Sequence, residues 1–138
     1  MAEAARLLVN IDVPDLHAAE AFYAAGFGVR PGRRFGDAAV ELLGLDAPLY
    51  VLSRADDADA GTSRADRARH HRHWTPVHLD VAVGDLDAAL ARATAAGAIV
   101  EKPARDAGYG RIATLADPFG HGFCLIQFSP EGYDAVAA

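Results

Sequence analysis

Apolar and polar residues alternate in two short stretches of the chain, residues 7–13 and residues 77–83. A period of two is typical of a β-strand that packs one face and turns the other away from the core. The apolar members are Leu7, Val9, Ile11 and Val13 in the first stretch and Val77, Leu79, Val81 and Val83 in the second. Each stretch therefore predicts one strand.

The pattern becomes helical directly after each predicted strand. Asp15 and Asp85 precede the helical stretches, at the position where an N-cap carboxylate accepts a hydrogen bond from the first turn. Apolar residues then recur at helical spacing, namely Leu16, Ala19, Phe22 and Tyr23 in the first stretch and Leu86, Ala89, Leu90 and Ala93 in the second. Gly26 and Gly97 are predicted to end the two helices, because glycine adopts the left-handed conformation of a helix terminus.

Three strand-rich stretches punctuated by glycine follow each helix. They read VRPGRRF, AAVELLGL and APLYVLSR in the first half, and AIVEKPA, GRIATLA and GHGFCLIQF in the second. An offset of 70 residues also aligns VPDLHAAEAFYAA with VGDLDAALARATA, with seven identities in thirteen positions. The sequence therefore predicts a βαβββ unit that occurs twice.

The two predicted modules, residues 5–54 and 75–129, are expected to form a single domain that covers residues 1–138. Residues 55–74 between them begin with aspartates and end with arginines and histidines, as expected of a solvated linker. The 138 residues are 51% hydrophobic and 23% charged, which is a globular rather than a disordered composition.

Charge and cysteine content exclude several classes of protein. A net charge of −6 argues against a general nucleic-acid surface. The single cysteine, Cys124, excludes a disulfide framework and fits a reducing compartment. There is no signal-like N-terminus and no apolar run that approaches the roughly 20 residues of a membrane span, so we expect a cytoplasmic protein without a membrane partner.

Three motifs carry a resemblance to a known family. They are the paired V-x-D-L helix starts at Val13 and Val83, the strand HLDVAV before the second start, and ADPFGHGFCLIQF near the C-terminus, which looks like a DPxGxxxEL turn and final strand. With these motifs the chain resembles the vicinal oxygen chelate superfamily, which includes glyoxalase I, extradiol dioxygenases, fosfomycin-modifying enzymes and bleomycin-resistance binding proteins.

The resemblance implies a fold and an assembly. It implies an α+β chain whose two βαβββ modules form a curved, mixed, eight-stranded sheet around a cavity, as in the glyoxalase/bleomycin-resistance fold. It also implies a homodimer, since paired modules of the family often complete their cavities across an interface. Fold alone does not establish an activity.

The family's metal ligands project from the first and last strands of the modules. The resemblance places these positions at Leu8 and His78, seven residues before each capping aspartate, and at Tyr50 and Cys124 on the last strands. His78 and Cys124 are the two that can coordinate an ion, and Asp80 is the nearest third donor in sequence. Catalytic metal sites need about three protein ligands, so no cofactor is expected, although a divalent metal on these residues stays an alternative.

Each candidate residue also has a structural interpretation. His78 can be a buried, hydrogen-bonded histidine, and Cys124 a small buried hydrophobe. A nucleophilic Cys124–His78 pair is a weaker alternative, because no orienting third residue is evident. The group His70, His71 and His73 is metal-like in composition, but its interleaved arginines favour a solvated surface.

Further residues are candidates for ligand contact. Asn10 and Asp80 lie on the strand face away from the helices and are expected to line a cavity. Arg111 and the pair Arg33 and Arg34 can meet an anion through the guanidinium fork. The aromatic residues that can stack on a planar ligand are Phe35, Tyr50, Trp74 and Tyr109.

These observations favour a small-molecule-binding protein that is independent of metal and sequesters or senses an organic ligand. The alternative is a metal-dependent lyase, isomerase or dioxygenase in which His78, with Cys124 or Asp80, holds an ion that activates vicinal oxygens of a substrate. A third hypothesis is a vestigial cavity in a domain that serves association only.

Overall fold

The structure is a computed structural model that describes residues 4–53 and 71–138. Most of the predicted linker, including His70, lies outside the described residues. The strands of the first module are β1 (Val9–Asp12), β2 (Arg30–Phe35), β3 (Ala39–Leu43) and β4 (Leu49–Leu52), with helix α1 (Leu16–Phe27). Those of the second are β5 (Leu79–Ala82), β6 (Ile99–Ala107), β7 (Gly110–Ala116) and β8 (Gly122–Phe128), with helix α2 (Leu86–Ala96). A 3-10 helix, Gly132–Ala135, follows β8.

The strands confirm the predicted pair of βαβββ modules. They form two four-stranded sheets of identical topology, in the orders β1-β4-β3-β2 and β5-β8-β7-β6. In each sheet the first and last strands of the module are parallel and the remaining neighbours are antiparallel. The eight strands therefore form two mixed sheets, in which β1 and β5 are edge strands.

Both helices begin at the predicted caps. The side chains of Asp15 and Asp85 accept hydrogen bonds from the third helical residue, at 3.0 and 3.1 Å. Gly97 ends α2 with a φ of 120°, as expected. The prediction for Gly26 is wrong, because α1 continues to Phe27 and ends at Gly28, whose φ is 74°.

Gly26 has a packing role instead. It is buried on α1, and a Cβ built there would lie 3.6 Å from Cβ of Ala96 and 3.7 Å from Cα of Ala93 on α2. A larger side chain would push the two helices apart, so this glycine permits their close contact.

One hydrophobic core runs through both modules. Helices α1 and α2 pack against each other, and the buried core contains residues of both helices and of β1, β3, β4, β7 and β8. Partly buried residues of β5 and β6 pack against it, whereas β2 is exposed. Rings of α1 reach the second module, since Phe27 lies 5.1 Å from Phe123 on β8. The largest fully buried side chains among the described residues are Val13, Val40, Leu42, Val51, Leu86, Leu115 and Ile126. Among the described residues, no helix has the length and apolar character to cross a membrane.

Candidate functional site

A cavity of about 650 Å³ lies where the two modules meet. Strand β1, the C-terminal half of α1, residues 73, 75 and 77–79, and the start of β8 with the preceding His121 line it. Six of the lining side chains carry rings: Tyr23, Phe27, His73, His78, His121 and Phe123. Its volume lies within the range of pockets that bind small organic molecules, and its ring-rich wall suits an apolar or aromatic ligand.

The edge position of β1 supplies the polar part of this cavity. Val9 and Val13 donate their backbone N–H groups to β4 and its flanks, at 3.1 and 2.8 Å. In a parallel pair, alternate residues direct their backbone groups to opposite sides of the strand. Asn10 therefore directs its backbone groups away from β4, toward the cavity that it lines. The ring of His121 closes the end of this edge with a 2.8 Å hydrogen bond to the carbonyl of Asp12.

A buried carboxylate holds the cavity wall near His121. Oδ1 of Asp117 accepts the backbone N–H groups of Phe119 and His121, both at 2.8 Å, and Oδ2 accepts the hydroxyl of Tyr23 at 2.5 Å. Burial first, and then the Asp117 carboxylate, raise the pKa of Tyr23 well above its usual value. Tyr23 therefore remains a neutral donor that fixes the turn carrying His121.

In the first module, a row of polar side chains crosses the sheet on its helix-free face. Asn10 is paired with Tyr50, and Tyr50 with Glu41. The buried Glu41 carboxylate accepts the Tyr50 hydroxyl at 2.9 Å, the backbone N–H of Arg33 at 3.0 Å and Nη2 of Arg33 at 2.6 Å. Hydrogen bonds from the Arg33 side chain, and then from its backbone, lower the pKa of Glu41 to about 2.

Sequence reasoning missed Glu41. Its signal is a single charged residue within the apolar run AAVELL, which indicates a paired charge on a buried strand. Gly32 makes room for it, since a Cβ there would lie 2.5 Å from Oε1 of Glu41.

The second module has an equivalent row of side chains across its sheet, but the residue types differ. Asp80 is paired with Cys124, and Cys124 with Thr114, whose hydroxyl lies 3.6 Å from Sγ. His78 lies beside them, with Nε2 3.1 Å from Oδ1 of Asp80. Arg105 donates to the Thr114 hydroxyl at 3.2 Å. Burial is the main reason why the pKa of the Cys124 thiol is raised.

The structure brings together three of the residues predicted to form the site. One donor atom each of His78, Asp80 and Cys124 lies within 4.8 Å of the others. Imidazole, carboxylate and thiolate are together a ligand set for Zn²⁺, whereas the thiolate is a poor ligand for hard ions such as Mg²⁺ and Mn²⁺. The set comes from one module, because the equivalent first-module position, Leu8, has no donor atom.

The other predicted residues lie apart from this cluster. Asn10 and His78 share the cavity, and Tyr50 belongs to the first-module row. Leu8 precedes β1 and is 49% exposed. Arg111 lies on β7 and pairs with Asp87 at 3.2 Å.

The remaining arginine and histidine candidates have local roles. Arg33 is bound to Glu41, and Arg34 forms a two-pronged pair with Glu20 at 2.6 and 3.1 Å. The ring of His73 lines the cavity and is also exposed, as its arginine neighbours predict.

Comparisons with known proteins agree with this geometry. A family model described as "Glyoxalase-like domain" matches residues 8–126. The chain is 34% identical over 130 residues to the anthracycline biosynthesis protein DnrV of Streptomyces peucetius. The alignment covers 94% of this chain and 43% of DnrV, so the chain spans less than half the length of that relative.

Two solved structures illustrate the shared fold. One is a glyoxalase/bleomycin resistance protein/dioxygenase family enzyme from Burkholderia phytofirmans, with a TM-score of 0.70, 22% identity and coverage of 88% of this chain and 97% of that one. The other is a mutant of the fosfomycin resistance protein FosX from Listeria monocytogenes, solved with Mn(II) and 1S,2S-dihydroxypropylphosphonic acid. Its TM-score is 0.70 at 19% identity, with coverage of 95% and 94%.

Proposed function

The chain belongs to the glyoxalase-like domain family, and from that premise we propose that it is a binding protein which holds a flat aromatic organic molecule, without a metal ion, in the cavity between its modules. In this role the protein sequesters or senses its ligand.

The ring-lined cavity is the observation that carries this proposal. A volume of about 650 Å³ accommodates a ligand of three or four fused rings. Phe27, His78 and His121 are lining rings with exposed surface. The β1 edge at Asn10 offers hydrogen-bonding groups that fix orientation. The name of DnrV, an anthracycline biosynthesis protein, supports the same ligand class, since anthracyclines contain a flat anthraquinone ring system.

The donor set supports binding without a metal. The family's first-module metal-ligand position falls on Leu8, which has no donor atom, so one module alone supplies all the candidate ligands.

The test is titration with anthraquinone-2-sulfonate, a soluble molecule that carries the three-ring core. We expect saturable binding by calorimetry, weakened about fivefold or more by Phe27→Leu, because a ring contact is lost. Phe35→Leu is the matched control, since Phe35 is a partly exposed ring on β2 outside the cavity lining. Absence of saturation up to about 1 mM would overturn the proposed ligand class.

The cluster of His78, Asp80 and Cys124 favours a second candidate, a metal-dependent lyase, isomerase or dioxygenase. A bound Zn²⁺ would polarise vicinal oxygens of a substrate as a Lewis acid. The three side chains would hold the ion, and Asn10, across the same cavity, would orient the substrate.

We further propose a cytoplasmic homodimer. Leu7, Leu8 and Val77 are exposed apolar side chains that precede the edge strands β1 and β5. Exposed apolar residues beside unpaired edges favour association, and a second copy is the simplest self-complementary partner. The only cysteine, Cys124, is buried and free, which suits a reducing compartment.

A further inference from the structure

Residues 71–77, here named the strap, form one side of the cavity without regular secondary structure. His73, Thr75 and Val77 of the strap line the cavity directly. Irregular segments have few backbone hydrogen bonds of their own, so side-chain contacts must hold the strap in place.

Trp74 is the centre of these contacts. Its indole lies 4.6 Å, between ring centroids, from the cavity-lining ring of His78. It also covers Gly122, where a Cβ would approach Cε3 of the indole to 2.5 Å. Trp74 nevertheless remains 47% exposed, which leaves much of this aromatic surface accessible beside the cavity.

Arg72 holds the strap to the second sheet. Its Nε and Nη2 donate to the two carboxylate oxygens of Glu101 on β6, at 2.5 and 2.7 Å, and Nη1 donates to the carbonyl of His73. The guanidinium also lies over the Trp74 indole, 5.2 Å from its centroid. All three guanidinium nitrogens are therefore engaged, a geometry that leaves Arg72 little rotational freedom.

We infer that Trp74, which packs on the lining residues His78 and Gly122 without lining the cavity itself, sets the specificity for flat aromatic ligands by fixing the ring of His78. The Arg72–Glu101 pair is the positioning device that holds the indole against that ring. This inference rests on the proposed function, because it assigns the residues that select the ligand.

The chain offers a direct readout, because Trp74 is its only tryptophan. Glu101→Gln removes the charge that binds Arg72 but keeps the size of the side chain. We expect this variant to increase the accessibility of Trp74 to acrylamide, measured by fluorescence quenching without ligand, and to shift its emission to longer wavelength. Glu20→Gln is the matched control, since Glu20 forms a similar two-pronged pair with Arg34 that lies away from the strap.

The same variants test selectivity. We expect Glu101→Gln and Trp74→Leu to weaken binding of anthraquinone-2-sulfonate about fivefold, mainly through faster dissociation. Trp74→Phe should retain part of the affinity, because a ring that packs on His78 remains. Thermal unfolding of each variant shows whether the fold persists.

The outcomes separate the two proposals. If the unaltered protein does not bind the probe, the proposed function fails, and acrylamide quenching still reports whether the pair positions Trp74. If binding occurs but Glu101→Gln behaves as Glu20→Gln in quenching and affinity, the positioning role is wrong. If Trp74→Leu binds as tightly as the unaltered protein, the specificity role is wrong.

Discussion

Tyr50 and Cys124 occupy equivalent positions in the two modules. Each lies on the strand that runs parallel to the first strand of its module, Tyr50 opposite Asn10 and Cys124 opposite Asp80. The phenol of Tyr50 donates to Glu41, which Arg33 also binds, so the first-module row is internally paired. The thiol of Cys124 lies beside Asp80 and His78 instead. Equivalent positions of the two modules thus hold side chains with different chemical properties.

The first prediction concerns metal content. We expect protein purified without chelator to contain far less than one zinc ion per chain, because the family's metal-ligand position at Leu8 lacks a donor atom and one module alone supplies the candidate ligands. Elemental analysis provides the measurement. Stoichiometric zinc that disappears in Cys124→Ser and in His78→Ala, but persists in the control Tyr50→Phe, would instead establish the metal-dependent candidate.

The second prediction concerns stability in acid. The pKa of Glu41 is about 2 in the folded protein against 4.5 for an ordinary glutamate, so folding favours the ionised form. This contribution is fully present above about pH 4.5 and is lost as the pH falls toward 2. We expect Glu41→Gln to reduce stability at pH 7 and to flatten its decline between these values.

Urea unfolding at several pH values measures this effect. Glu131→Gln, which replaces an exposed carboxyl before the 3-10 helix, is the control and should leave the decline unchanged. A Glu41→Gln protein that loses stability in acid as steeply as the unaltered protein would show that the Arg33 and Tyr50 contacts do not favour the ionised carboxylate.

The third prediction concerns Gly122. Alanine at this position would place its Cβ 2.5 Å from Cε3 of Trp74 and 2.6 Å from Nη2 of Arg72, so both side chains must move. We expect a shift in Trp74 fluorescence and a destabilisation of about 1–3 kcal/mol. Gly84→Ala is the matched control, since no neighbouring atom lies within 4 Å of its Cβ position. Identical fluorescence in the two variants would contradict the packing of the indole on β8.

Features that depend on neighbouring residues could be predicted from the sequence, and features that depend on distant residues could not. Asp15 and Asp85 were predictable as helix caps, because a cap depends on residues three positions away. Whether α1 ends at Gly26 or at Gly28 was not predictable, because the contact between Gly26 and α2 depends on the tertiary structure.

The candidate site likewise has residues that the sequence indicated and contacts that it could not reveal. The repeat and the family resemblance led to His78, Asp80 and Cys124, which the fold brings together. Tyr23 and Asp117 are 94 positions apart, so no local pattern reveals their hydrogen bond. The Arg72–Glu101 pair spans 29 positions and depends on how the strap meets β6.

The last prediction concerns assembly. Val77 is 82% exposed and lies at the cavity rim two residues before the edge strand β5, where an apolar side chain is expected to meet a second copy. We expect the unaltered protein to sediment at about twice its chain mass of 14.5 kDa, and Val77→Glu to sediment at the chain mass, because a dimer interface would bury the new charge. Ile99→Glu is the matched control: Ile99 is 62% exposed on β6, at the opposite edge of the same sheet. A chain mass of 14.5 kDa for the unaltered protein would refute the dimer, and equal dissociation by both variants would place its interface elsewhere than beside β5.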